Sequence, residues 1–148
     1  MTTLTLAHAR TLIDAALAAA RQHAFKPMAV VVVDASARVV ASAREDGASS
    51  LRLDIALGKA AAAVGMGVNS RVLAQRAKDL PAFFGAVASA AEQKFIPQTG
   101  AVVILDADKR VVLGAAGASG GSGDEDEQIV IAGVHAAGLR YPQPSEGS

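Results

Sequence analysis

The stretch Arg44–Gly67, REDGASSLRLDIALGKAAAAVGMG, decides the fold. It opens as a charged turn and runs on as one helix. Ser49 or Ser50 is placed to cap the start, and Gly65 or Gly67 to end it. At about 100° per residue the helix separates into three faces. Leu53, Leu57, Ala60 and Val64 form an apolar stripe expected to lie on a sheet. Arg52 and Lys59 share a second face, with Met66 beside them. Asp54, Gly58, Ala61 and Gly65 make a third row, three of them small.

Reading toward the N-terminus, Arg38–Ala43 and Met28–Asp34 are two short strands around the connection Ala35-Ser36-Ala37, a hairpin. The run MAVVVVD shows no polar alternation, which predicts a strand covered on both faces. Before it, Leu6, Ala9, Ile13, Leu17 and Ala20 recur at helical spacing behind Thr5, a helix through about Ala24 that Pro27 forbids from continuing. His23 near its end suits the helix dipole.

Reading toward the C-terminus, Asn69 or Ser70 caps a short helix to about Lys78, and Pro81 starts another to about Ala91. Phe95-Ile96-Pro97 is expected to be a short edge strand. Gly100–Asp106 and Arg110–Ala116 form a second hairpin. Gly117–Gly123 is expected to be a flexible turn. Asp124–Glu127 then opens a last helix ending at Gly138, with Ser122 and the acids acting as caps. The tail YPQPSEGS is expected to fray, leaving one domain over residues 1–140. Hairpins separated by helices predict an α+β architecture, a mostly antiparallel sheet with helices packed on it.

Composition narrows the function. Lys plus Arg equals Asp plus Glu, 14 each, so no basic excess points to nucleic acid or to an anionic membrane surface. With no Cys, thiolate metal sites and Cys nucleophiles are excluded. Four Phe, one Tyr and no Trp leave a core of small aliphatic side chains. MTTLTLAHAR has no basic segment followed by an apolar run, and no apolar run reaches the roughly 20 residues of a bilayer span. A cytoplasmic protein is the expectation.

Four segments carry a family resemblance: PMAVVVVDASARVVA, REDGASSLRLDIALGKA, FIPQTGAVVILDADKRVVLGAAGASG and DEDEQIVIAG. In order and spacing the chain resembles the GlcG/HbpS family, the haem-degrading-type domain also found as the C-terminal part of PduO-type proteins. The resemblance covers about Leu4 to Leu139. It implies a profilin-like α-β-α fold with a five-stranded antiparallel sheet, a homo-oligomer, and haem as a possible ligand.

The candidate chemistry gathers on the central helix. The small row admits a neighbouring helix, within or between subunits, or a flat ligand lying on the backbone. For a ligand, Arg52 and Lys59 would hold carboxylates, Arg through its fork and Lys as a point charge; the alternative is a solvated face. Gly58, Met66, Ser119, Gly120 and His135 complete the candidate ligand set. For acid–base chemistry the candidates are Glu45, Asp46, Asp54 and Lys59. Glu45 and Asp46 are equally well placed to complement a helix N-terminus.

Gly117–Gly123 precedes a helix as a phosphate loop would, but it lacks the Lys-Ser/Thr ending, and Asp124–Glu127 would repel a phosphate there. Haem would call on His8, His23, His135 or Met66 as axial donor. No two His stand at a site-forming spacing, and His135 has an apolar sequence neighbourhood. No metal set and no Gly-x-Ser-x-Gly elbow is present. Two functions follow. One is an oligomeric small-ligand-binding protein, its pocket between the central helix, the second hairpin and the Gly117–Gly123 loop, taking haem or a related flat anion. The other is a small catabolic accessory enzyme acting on an anionic metabolite.

Overall fold

The computed structural model describes residues 3–92 and 94–143. In chain order the elements are α1 (Leu6–Gln22), β1 (Ala29–Asp34), β2 (Val39–Arg44), α2 (Leu51–Met66), α3 (Ser70–Asp79), α4 (Pro81–Ala90), β3 (Ala101–Leu105), β4 (Val112–Ser119) and α5 (Gly123–Ala136). The strands form one sheet in the order β2-β1-β4-β3, antiparallel throughout.

The unbroken valine run of β1 has the cause expected from its pattern. Val30 and Val32 point to a core shared with α1 and α5, while Val31 and Val33 point to a core shared with α2. The same alternation continues across β3, with Val102 and Ile104 on one side and Val103 and Leu105 on the other. Burying each such side chain contributes about 1.5–3 kcal/mol. The molecule is thus three layers, α1 and α5 over one face of the sheet and α2 over the other.

Local signals set most boundaries. Thr5 caps α1 in a reciprocal box with His8, and Gly67 ends α2 in the left-handed region at φ 73°. The Asp that closes the first strand of each hairpin folds back on its own turn. Asp34 Oδ1 accepts N–H bonds from Ser36 and Arg38, and Asp106 Oδ1 from Arg110 and Val111.

The α2 stripe is rotated slightly from expectation. Ala56, Ala60 and Ala63 are fully buried against the sheet, and Leu53, Leu57 and Val64 flank them half-buried. Alanine at the centre lets helix and sheet approach closely. A Cβ on Gly117 of β4 would stand 2.7 Å from the Ala56 carbonyl oxygen.

Two expectations are corrected. The sheet has four strands, not five. Phe95-Ile96-Pro97 is not a strand but crosses α2, with the Ile96 N–H bonded to the Gly58 carbonyl at 3.1 Å. The outer edge of β3, where a fifth strand would sit, is already occupied. Ala101 N–H donates to Ser70 Oγ, Val103 N–H to Asn69 Oδ1, and Leu105 N–H to the Arg140 carbonyl. Among the described residues, the far edge of β2 has no such cover, and no hydrogen bond beyond its ladder with β1 reaches residues 39–43.

The second correction concerns Gly117–Gly123. Gly117, Ala118 and Ser119 are not a flexible turn but the end of β4, paired with Val31, Val30 and Ala29. The turn proper is Gly120–Ser122. In the tail, Tyr141 is buried and the Pro142 carbonyl accepts a bond from Asn69, so the chain stays docked there; residues 144–148 lie outside the described residues.

Candidate functional site

Arg52 and Lys59 are brought together, though not on a solvated face. Both reach across to consecutive residues at the end of β4. Arg52 Nη1 donates to Ser119 Oγ at 3.1 Å, and Lys59 Nζ donates to the Ala118 carbonyl at 3.1 Å. Lys59 is buried, and its ammonium meets Asp126 Oδ2 at 3.0 Å. Asp126 is 1% exposed, and its other oxygen accepts the Gly121 N–H at 2.9 Å. Burial pushes the Asp126 carboxyl above the ordinary value, and the Lys59 charge, the Gly121 bond and the Arg52 charge pull it back.

These groups line a cleft of about 440 Å³ between α2, the end of β4 and the start of α5, walled further by Ile55, Ile96, Gln98, Thr99 and Ser122. It lies where the ligand-binding reading places its pocket. Glycines shape it. Gly100 takes φ 142°, and a Cβ there would stand 2.7 Å from Lys59 Nζ. Gly120 is buried behind the wall, packed on the Pro27 carbonyl and Met28.

The other candidate residues lie elsewhere. Gly58 faces neither a helix nor open space, because the Ile96 side chain covers it, and a Cβ would fall 2.6 Å from Ile96 Cδ1. Glu45 pairs with Arg21 at 3.0 Å and accepts the Met28 N–H at 2.8 Å, so it ties α1 to the hairpin. Asp46 is exposed beside it at a separate surface hollow with Arg21, Pro27 and Arg44. Asp54 is exposed on α2 and does not line the Lys59 cleft. The structure therefore does not join Glu45, Asp46 or Asp54 to Lys59. The acid that meets Lys59 is Asp126.

Asp126 lies in the run DEDE, which reads first as helix capping and, less well, as carboxylates for a divalent cation, since consecutive acids on a helix do not converge. Ser122 and Glu125 do form a reciprocal cap. Asp126, however, heads the buried row Ile129, Val130 and Gly133 at helical spacing. That periodicity is the signal that separates it from its neighbours. Asp124 and Glu127 instead turn outward to Arg71 of α3, whose guanidinium is held further into its charged form by both.

Met66 lines a second depression, an apolar groove of about 430 Å³. Ala61, Gly65, Val87, Ala91 and Phe95 form its walls, with Arg38 and Lys94 at its rim. The small row is thus divided. Ile96 closes it at Gly58, whereas nothing stands within 4 Å of where a Gly65 Cβ would be. Among the described residues, no acid forms an ion pair with Arg38 or Lys94.

None of the three histidines lines either depression. His8 caps α1, and His23 stacks on Phe25. His135 is exposed beside the Tyr141 ring, not packed in an apolar setting, because its side of α5 turns away from the sheet. Among the described residues, no group of three or more His, Cys, Asp or Glu is arranged to hold a metal ion, and no helix is long and apolar enough to cross a membrane.

A family model, haem degrading protein HbpS-like, matches residues 4–135. The chain belongs to the HbpS-like family. Its similarity to solved structures agrees. A PduOC–heme complex superposes with a TM-score of 0.84 at 25% identity, over 96% of this chain and 100% of that one. A double mutant of Streptomyces reticuli HbpS gives 0.78 at 29% identity, over 91% and 87%. Klebsiella pneumoniae ORFY shares the fold, with a TM-score of 0.82 at 22% identity over 93% and 92%. Among curated protein sequences, no match was found.

Proposed function

We propose that this HbpS-like chain is a small-ligand-binding protein that takes haem, or a related flat anionic molecule, in the groove along Ala61, Gly65 and Met66. The observation that carries the reading is the chemistry of that groove. Small residues leave the α2 backbone open to a flat face, Met66 supplies a thioether donor, and Arg38 and Lys94 stand at the rim with no acid partner among the described residues. The Lys59 cleft fits haem poorly, having polar walls and no His, Met, Cys or Tyr in its lining. The similarity to the PduOC–heme complex supports the ligand class.

In this reading Met66 would offer its thioether sulfur to the haem, and Arg38 and Lys94 would hold its carboxylates. Phe95, Val87 and Ala91 keep water from the flat face. When bound, haem supplies a redox-active iron. The exposed apolar side chains Leu80 and Phe83, near the α3–α4 junction, support the further reading that the protein works as a homo-oligomer. The compartment we propose for it is the cytoplasm.

The test is a hemin titration followed at the Soret band. The native chain is expected to saturate. Met66→Leu keeps the apolar volume and should shift the Soret maximum, and the joint change Arg38→Gln with Lys94→Gln should weaken binding. A titration without saturation, or one that none of these variants alters, overturns the site. Light scattering measures the oligomer, and cell fractionation the compartment.

A further inference from the structure

The Arg52–Lys59–Asp126 cleft stands apart from the Met66 groove and is left unused by haem. Its construction is that of a ligand site. A buried ion pair contributes little net stability, because the desolvation of two charges offsets their attraction. Here such a pair is set at the floor of an open, polar cleft, within reach of a second cation. Arg52 spends one Nη on Ser119, and no described acid forms an ion pair with it.

By contact, the charges of the lining leave one positive group unmatched. Lys59 is matched by Asp126, and Asp124, at the mouth, is drawn outward to Arg71. Arg52 remains. The first turn of α5 adds backbone donors, since the N–H groups of Gly123 and Asp124 carry no hydrogen bond among the described residues. Gln98, Thr99 and Ser122 add side-chain groups able to bond a hydroxyl or carbonyl. Two isoleucines, Ile55 and Ile96, leave room for a short carbon chain.

We propose that this cleft is a second binding site, for a small polar monocarboxylate. Its carboxylate lies on the free side of the Arg52 guanidinium, which suits a planar two-oxygen acceptor better than a point charge. Its hydroxyl or carbonyl groups bond the Thr99, Gln98 and Ser122 side. A single unmatched cation selects one negative charge. A dianion would bring its second charge against Asp126 and Asp124. The Lys59–Asp126 pair positions the floor and stays intact.

The probes are lactate, propionate and succinate, titrated into the full chain while backbone amide resonances are followed by NMR. Lactate is expected to give saturable shifts at Ser119, Gly121 and Gly123. Propionate, which is lactate without the hydroxyl, and succinate, with a second charge, are each expected to bind more weakly. Arg52→Gln should weaken lactate about tenfold or more, a loss of roughly 1.4 kcal/mol. Arg52 is partly exposed, so the variant should fold, and an unchanged thermal transition checks this. Met66→Leu should leave lactate binding unchanged, which separates this site from the haem groove. Absence of saturable shifts, or lactate binding indifferent to Arg52→Gln, overturns the site. Succinate binding as tightly as lactate overturns the assignment to a monoanion.

Discussion

Lys59 of α2 and Asp126 of α5 stand 67 positions apart in the chain and meet at 3.0 Å. Their helices lie on opposite faces of the sheet, so the pair closes around the end of β4. Removing one partner leaves a buried charge alone. Lys59→Met is expected to cost about 3–5 kcal/mol in urea unfolding. Asp126→Asn keeps an oxygen for the Gly121 N–H, and the double variant should be less destabilised than the sum of the two singles. Strict additivity would mean that the pair is not coupled.

Two aspartates should give pH dependences of opposite sign. Asp126 titrates above its ordinary value, chiefly through burial. The folded chain therefore binds this proton more tightly than the unfolded chain. Its contribution is complete below the ordinary aspartate value and is lost as pH rises through the raised one. Asp106 titrates below its ordinary value, first through the Arg110 N–H bond and then that of Val111. Its contribution is present above the ordinary value and is lost as pH falls through the lowered one. Unfolding free energies measured across the acid range in Asp126→Asn and Asp106→Asn should each lose one of these slopes. Carboxyl NMR titration reports the two groups directly.

Gly58 and Ile96 make a size-swap test. In the native chain, Gly58→Ala sets a Cβ 2.6 Å from Ile96 Cδ1, and overpacking of this kind costs about 1–3 kcal/mol. With Ile96→Ala already made, the two contacts at 2.6 Å are gone and only the Cβ of residue 96, at 3.2 Å, remains, so the same change should cost clearly less, offset by up to about 1 kcal/mol of helix propensity. Denaturation midpoints that shift equally in both backgrounds would show that the contact does not constrain the helix.

Ser70→Ala removes the acceptor of the Ala101 N–H and the donor to its carbonyl. An unsatisfied buried pair of this kind costs about 1–3 kcal/mol. Ser70→Thr, which keeps the hydroxyl, should lose less. Amide exchange at Ala101 should quicken in the alanine variant, and unchanged protection would argue against the edge role of Ser70.

Legibility in the sequence followed the range of the physics. Helix starts at Thr5, Pro81 and Ser122, and turns closed by Asp34 and Asp106, are local chemistry and were readable. The end of β4 was not, since Gly117-Ala118-Ser119 has little strand propensity and is a strand because β1 pairs with it. The spacing of Arg52 and Lys59 correctly placed them on one face of α2. What covers that face depends on α5 folding back from far along the chain. The row of small residues marks Gly58 as a point of close approach, and the segment that approaches is a loop, not a helix or ligand.

The two borders of the sheet are treated unequally, with β3 sealed by Ser70, Asn69 and Arg140 and β2 left bare among the described residues. In the language of polymer chemistry the chain is a monofunctional monomer. A species with two reactive ends propagates, whereas one with a single reactive end couples once and terminates. Strand-to-strand association between copies, if it begins at β2, therefore stops at a pair, and open-ended fibre growth along this sheet is closed off by the geometry of one serine, one asparagine and a stretch of backbone.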